Sequence, residues 1–348
     1  MRLRKPTSRP RLNRTKNNDR NAAAAIRKHQ QDSDGYYEAG PNTDQPPLVL
    51  CHGWPEIAFS WRHQIKALSE AGIRVIAPDQ RGYGATDRPE PVEDYDIEHL
   101  TSDLIGLLDH LKIDKAIFVG HDWGGFIVWQ MPLRHIDRVA GVVGINTPHT
   151  NRAWADPIEM LRARFGEQMY IVQFQDSAHG PDKIFDSRVE QTFDAFMRKP
   201  VPRPDTTPDE HVIAGVGASP RLNLAFPQMI AGYDARHDPR TPILSAEERQ
   251  VFVDTFKKTG FTGGINWYRN MSRNWQRAAG LDHTVRVPSL MIMAENDQVL
   301  PPSSTDGMEK LIPDLEKYLV RGSGHWTQQE KPEEVSAKLI EWSRKRFG

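Results

Sequence analysis

One cysteine in 348 residues leaves no internal disulfide to form. Cys51 lies inside an apolar run, where a buried structural thiol is the ordinary reading. Cysteine this scarce suits a reducing compartment, and the cytoplasm is the expected location. No apolar run approaches the roughly 20 residues of a membrane span, and no signal-peptide core is visible. There is no His-Glu-x-x-His and no cysteine cluster, so no metal is expected and no cofactor is implied. Gly-x-x-Gly fragments such as Gly141 to Gly144 lack the context of a phosphate loop. Charge of one sign is lacking too: the net charge is −1, which argues against the whole chain being a nucleic-acid or polyanion binder.

What is present is concentrated in Phe118-Val119-Gly120-His121-Asp122-Trp123-Gly124-Gly125. The run Ala116 to Val119 reads as a buried strand, a Gly-x-Asp-x-Gly turn stops it, and Phe126-Ile127-Val128-Trp129 begins a helical pattern. That layout is the nucleophile elbow of hydrolases built on a parallel sheet, where a sharp turn lifts one side chain into the open. Gly120 and Gly124 are needed because the chain folds back so tightly that a Cβ would clash, and the tip residue is expected to be strained. The tip is Asp122. A serine there would need a base to take its proton, whereas an aspartate, with a reference pKa of about 3.9, is already an anion. It suits in-line displacement at a saturated carbon, giving an alkyl ester whose hydrolysis then calls for a base, a water and an oxyanion hole. Taken alone, Asp122 also fits a turn residue or a helix N-cap.

Other segments supply the missing parts. Pro288 to Ala294 reads as a strand ending in Glu295-Asn296-Asp297, and Leu315 to Val320 as one ending in Gly322-Ser323-Gly324-His325-Trp326. Nucleophile, acid and histidine then follow in the chain order of this hydrolase class, each past the carboxyl end of a strand. Upstream, Leu48 to Cys51 leads into His52-Gly53-Trp54-Pro55-Glu56, and Val75 to Asp79 into Gln80-Arg81-Gly82-Tyr83-Gly84. With Gly-His-Asp-Trp-Gly-Gly and Gly-His-Trp, these motifs resemble the epoxide hydrolases of the α/β-hydrolase superfamily. Asn266-Trp267-Tyr268-Arg269-Asn270-Met271 is similar to a lid motif of the soluble epoxide hydrolases in particular. The likeness runs from about Gly35 to the C-terminus.

The resemblance implies an α/β-hydrolase fold, a mostly parallel sheet with helices on both faces and an inserted helical lid. The expected division is a core of residues 35–149 and 283–348 and a lid of residues 150–282, which is rich in aromatics. Within the lid, Lys183 to Lys199 carries one apolar stripe, Ser245-Ala246-Glu247-Glu248 is a capping box, and Pro200 to Pro220 is loop-like. Residues 1–34 are basic from Arg2 to Lys28, with only Asp19 opposing them before Asp32, and read as a disordered tail. The family normally opens with two strands; Gly35 to Gly40 resembles the end of the second, and the first is not found.

The implied chemistry assigns Asp122 as nucleophile, His325 as the base that activates water, and Asp297 as its orienting acid. The backbone N–H groups of Trp54 and Trp123 would form the oxyanion hole, since Pro55 has no N–H to offer. The family also implies a cis Trp54-Pro55 bond. Tyr268 reads as opening a helix that shares a face with Met271 and Trp275, which ordinary core packing would also explain. The resemblance makes it an acid on the epoxide oxygen, with Tyr170 in the partner position. Trp54, Pro55, Trp123 and Trp326 would bound a pocket for a neutral apolar epoxide, with water as co-substrate. His52, His121 and His149 look structural. No nucleic-acid or membrane partner is expected, and the chain is read as a monomer or homodimer.

Two other functions fit parts of this pattern. A dehalogenase shares the aspartate, histidine and acid. Fluoroacetate dehalogenases carry an arginine directly after the nucleophile, where this chain has Trp123; haloalkane dehalogenases usually place a halide-binding asparagine after His-Gly, where it has Trp54. A non-catalytic receptor for a small ligand would keep the pocket but has no need of Asp122, Asp297 and His325 together.

Overall fold

The computed structural model describes residues 35–200 and 224–348. The basic segment 1–34 and the proline-dense stretch after Pro200 lie outside the described residues. One sheet of seven strands organises the rest: β1 (Tyr36–Ala39), β2 (Leu48–Cys51), β3 (Val75–Pro78), β4 (Ala116–His121), β5 (Val139–Ile145), β6 (Ser289–Ala294) and β7 (Leu315–Val320). Their order is β1-β3-β2-β4-β5-β6-β7, with β1 antiparallel to β3 and every other pair parallel. Among the described residues the sheet ends at β1, so the first of the two opening strands expected from the family is not among them.

The central strands are apolar at almost every position because helices cover both faces. Alternate residues point opposite ways. Leu50, Val119 and Ile292 pack with Leu68 of the helix Arg62–Glu70 and with Leu339 and Trp342 of the helix Pro332–Phe347. Val49, Phe118 and Met291 face the other way, towards Leu104 of the helix Ile97–His110 and Ile127 and Val128 of the helix Trp123–Arg134. Each side chain of this kind contributes about 2 kcal/mol when removed from water.

Register then sets the site. Cys51 lies opposite Gly120, His121 opposite Ile145, Ile145 opposite Ile292, and Ala294 opposite Val320. Five parallel strands therefore end in line, and the loops after them open along one edge, where ligands of open α/β sheets bind.

Between β5 and β6 the chain leaves the sheet for a series of helices. Ser245 opens the longest of them, Ala246–Thr259, through the expected capping box: its hydroxyl accepts from the Glu248 N–H, and Glu248 accepts from the Ser245 N–H. Two other expectations change. The stripe from Lys183 to Lys199 is two short helices, Pro181–Asp186 and Val189–Phe196. The first is tied to the neighbouring helix Thr262–Arg269, with Asp186 accepting from the Phe261 N–H and Asp182 from the Thr262 hydroxyl; the second packs instead on Ala246–Thr259. Tyr268 sits in the last turn of Thr262–Arg269 rather than opening a helix. Asn270 ends that helix, its side-chain amide donating to the Asn266 and Val92 carbonyls, and Met271–Arg277 starts afresh. No helix among the described residues is long and apolar enough to cross a membrane.

Two glycines with opposite surroundings test the elbow's geometry. A Cβ on Gly124 would lie 2.0 Å from the Cys51 carbonyl oxygen, while one on Gly106, inside Ile97–His110, would meet nothing within 4 Å. Gly124→Ala is expected to cost about 3 kcal/mol or more through a clash with backbone that cannot yield. Gly106→Ala should stabilise by about 0.5–1 kcal/mol through helix propensity. Denaturant unfolding of the two variants checks both signs.

Candidate active site

Asp122 occupies the turn between β4 and the helix Trp123–Arg134 with φ +52° and ψ −120°, a conformation that a non-glycine residue adopts at a cost of about 1–3 kcal/mol. The surroundings enforce it. A Cβ on Gly120 would lie 2.2 Å from the Gly124 carbonyl oxygen, and the Thr147 hydroxyl donates to the Asp122 carbonyl at 2.7 Å. Although Asp122 stands at the N-cap position, its carboxylate accepts no N–H from the helix that follows. Oδ1 instead accepts from the Trp54 N–H at 2.8 Å, and Oδ2 lies 3.7 Å from His325 Nε2. A helix-capping role for this side chain is thereby excluded, and the one N–H on its carboxylate comes from the loop after β2. The Trp54-Pro55 peptide is cis.

His325 stands on the loop after β7 and gives its other nitrogen, Nδ1, to Asp297 Oδ2 at 2.9 Å. Asp297 is held by four donors. Oδ1 accepts from the N–H groups of Val299 and Leu300, and Oδ2 from His325 and the Asn146 amide at 2.6 Å. Burial alone would raise the Asp297 pKa, but the imidazole beside it and these donors hold it well below the usual carboxylate range. Burial likewise tends to discharge His325; the two flanking carboxylates outweigh it and raise the imidazole well above its ordinary value. The imidazole thus stands between two carboxylates, Asp297 on Nδ1 and Asp122 facing Nε2.

Tyr170 and Tyr268 face this group from the helical insertion. Their rings are 5.7 Å apart and nearly perpendicular, and both are buried. Burial, reinforced by the charge of Asp122, pushes both phenols well above their usual range, so they remain neutral O–H donors. Trp54 binds the two halves together: its indole meets Phe174, Phe185, Phe196 and Tyr268 edge to face at 5.4–5.7 Å. The cavity beneath, about 430 Å³, touches Asp122, Asp297, His325, both tyrosines, Trp54, Pro55 and Trp326. Trp123 lines a second arm of it. The site residues expected from the sequence thus line these two adjoining spaces, while His149, whose pKa burial lowers to about 4, lines neither and donates through Nε2 to the His283 carbonyl.

Several residues around the site carry no motif of their own. Glu56 is fully buried and ties three loops together: Oε2 accepts from the Gly53 N–H and meets His121 Nδ1 at 2.8 Å, while Oε1 accepts from Gln328 and Gln329. Burial opposes its charge, but His121 overcomes that and brings the carboxyl down to about 2. His121 in turn reaches the His325 carbonyl through Nε2 at 2.7 Å. Glu330 accepts from the N–H groups of Gly324 and Trp326, on either side of His325. Asn146, at φ +64° after β5, bridges Asp297 and the Thr327 hydroxyl. Glu56 closes the His-Gly-Trp-Pro-Glu motif; Asn146 becomes legible only when strands are aligned in space, and Glu330 only through the turn it closes onto Gly324 and Trp326.

With this geometry in hand, comparison with known proteins is informative. A family model described as alpha/beta hydrolase fold matches residues 46–332. Epoxide hydrolase A of Mycobacterium tuberculosis is 42% identical over 85% of this chain and 90% of its own length. Bifunctional epoxide hydrolase 2 of Sus scrofa is 38% identical over 85% of this chain, which spans 51% of that longer protein. Among solved structures, Epoxide Hydrolase A from Mycobacterium thermoresistibile superposes with a TM-score of 0.73 at 37% identity, covering 89% of this chain and 94% of that one.

Proposed function

The chain belongs to the epoxide hydrolases of the α/β-hydrolase family, and from that premise we propose how its own residues divide the reaction. Oδ2 of Asp122 attacks a ring carbon of the epoxide while a tyrosine O–H donates to the ring oxygen. The carbon–oxygen bond of the ring breaks as the ester bond forms, and the alkoxide takes a proton from Tyr170 or Tyr268. The observation that carries this reading is the placing of the elbow carboxylate and the two phenols on one cavity.

Alkylation removes the negative charge of Asp122, one of the two that raise the His325 pKa. The imidazole then sheds its proton, which restores the tyrosine that gave one up to the alkoxide, and becomes the base for the second step. Water attacks the carbonyl carbon of the Asp122 ester, its proton passing to His325 Nε2. The oxyanion forms on Oδ1, already met by the Trp54 N–H, and the Trp123 N–H joins as the carbon becomes tetrahedral. Collapse breaks the bond to Oδ2, which takes the proton from His325 Nε2 as it leaves with the diol, and the new carboxyl of Asp122 returns a proton to His325. Asp297, unable to rotate among its four donors, holds the imidazole in register throughout. Residues 150–282 act as the lid that keeps bulk water out, and the core consists of 35–149 and 283–348. Cytoplasmic location and a monomeric or homodimeric state accompany this reading. Displacement of a halide would use the same carboxylate, but a halide accepts no proton and has no need of the two phenols.

The source of the new oxygen tests the covalent step. A single turnover in heavy-oxygen water is expected to give diol without the label and to leave the label in Asp122. Label in the first diol formed would mean direct attack by water and would overturn the ester.

The tyrosines are tested by removal. Tyr268→Phe is expected to slow ester formation by about 10²-fold if it donates alone, with milder single effects and a severe double effect if Tyr170 shares the oxygen. Pre-steady-state kinetics separate these cases. Undiminished ester formation by the variant lacking both hydroxyls would overturn the assignment.

A further inference from the structure

Tyr170 and Tyr268 stand on two helices whose C-terminal ends meet. Tyr170 opens the five-residue helix Tyr170–Phe174, and Tyr268 lies in the last turn of Thr262–Arg269. A helix C-terminus leaves carbonyl groups without partners inside the helix and carries partial negative charge. Two such ends brought together repel unless donors or a cation stand between them. Both are present here.

Gln175 follows the first helix, and its side-chain Nε2 donates to the Ile171 carbonyl at 2.9 Å and to the Tyr268 carbonyl at 3.1 Å. One nitrogen therefore joins the backbone beside Tyr170 to the backbone of Tyr268 itself. Arg269, next after Tyr268, returns the bond: its Nε donates to the Phe174 carbonyl at 2.8 Å. The guanidinium is steadied by the Asn266 side-chain oxygen, which accepts from one terminal nitrogen at 2.8 Å, and by Asp182, 3.7 Å from the other. Only 7% of the Arg269 side chain is exposed, and these partners offset the hydration it gives up. Aromatic packing fixes the tilt of each ring, with Phe226 stacked on Tyr170 at 4.2 Å and Trp123 edge to face with Tyr268 at 4.9 Å. The distance between the two hydroxyls, however, follows from how the two backbones are held.

We propose that Gln175 and Arg269 are positioning residues for ring opening: their crossed hydrogen bonds hold Tyr170 and Tyr268 at the spacing at which both O–H groups reach one epoxide oxygen. The inference rests on the role given to the two phenols above and deepens it. Neither Gln175 nor Arg269 lines the cavity, so their effect on the reaction passes through the tyrosines. An oxygen that gains charge as the ring opens is stabilised by donors already in place, and a misplacement of about 1 Å can cost on the order of 10²-fold in rate. Asp297 and His325 stand on the loops after β6 and β7, so hydrolysis of the ester does not depend on this clasp.

Gln175→Met keeps the length of the side chain and removes both donors. In pre-steady-state kinetics it is expected to slow ester formation by about ten-fold and to change ester breakdown by less than about two-fold. In the Tyr170→Phe background, where one hydroxyl remains and there is no spacing to hold, the same substitution should cost about two-fold or less. Arg269→Lys, which keeps a cation beside the two helix ends, should retain more of the rate than Arg269→Met. A lysine variant no faster than the methionine one overturns the part given to Arg269. Equal slowing of both steps by Gln175→Met, or an undiminished cost in the Tyr170→Phe background, means a general loosening of the insertion and overturns the inference. So does a Gln175→Met enzyme that forms ester at the parent rate while Tyr268→Phe is slow. Parent-rate ester formation by the variant lacking both hydroxyls overturns instead the phenol reading on which the inference stands.

Discussion

The arrangement depends on one imidazole held between two buried carboxylates that are treated in opposite ways. Asp297 is saturated by four donors and cannot turn or react. Asp122 has one N–H on Oδ1 and leaves Oδ2 facing the cavity, 3.7 Å from the histidine. Both carboxylates act on the imidazole between them, and together they outweigh its burial and raise its pKa. In the proposed reaction, consuming the charge on Asp122 removes one of the two carboxylate influences on His325, so the first step prepares the second. No separate switch is needed.

Everything else in the core serves to hold those three side chains at these distances. Strand register brings the ends of β2, β4, β5, β6 and β7 into line, and each contributes a loop that touches the group. Glu56 and His121 join the loop after β2 to the backbone of His325, and Glu330 grips the N–H groups on both sides of that histidine. The helical insertion brings a different chemistry, aromatic and neutral. Trp54 is where the two meet: its N–H serves the carboxylate while its indole is enclosed by lid rings.

The elbow, the acid loop and the histidine loop were legible because each follows an unbroken apolar strand and carries glycines that only a tight turn requires. Strands in the interior of a parallel sheet have little freedom to be anything else. The helical character of the insertion between β5 and β6 was legible, but not its detail. Its helices end where single side chains capture backbone groups of distant segments, as Asp186 does with the Phe261 N–H and Asn270 with the Val92 carbonyl. Periodicity cannot register such long-range competition, so the stripe after Lys183 looked continuous and Tyr268 seemed to open a helix that it closes. The partner Asn146 was hidden for the same reason, since its role exists only across strands.

The central claim is that attack and hydrolysis are separate steps with separate agents, and a stalled enzyme tests it most directly. His325→Gln keeps Asp122 anionic but removes the base. Mixed with an epoxide that the parent enzyme turns over, it is expected to consume about one equivalent per active site and then stop, since a carboxylate needs no base to attack. Intact-protein mass spectrometry should show the chain heavier by one substrate mass, and Asp122→Asn unchanged. A His325→Gln chain that gains no mass under those conditions would contradict the account, because the histidine would then be acting before the ring opens.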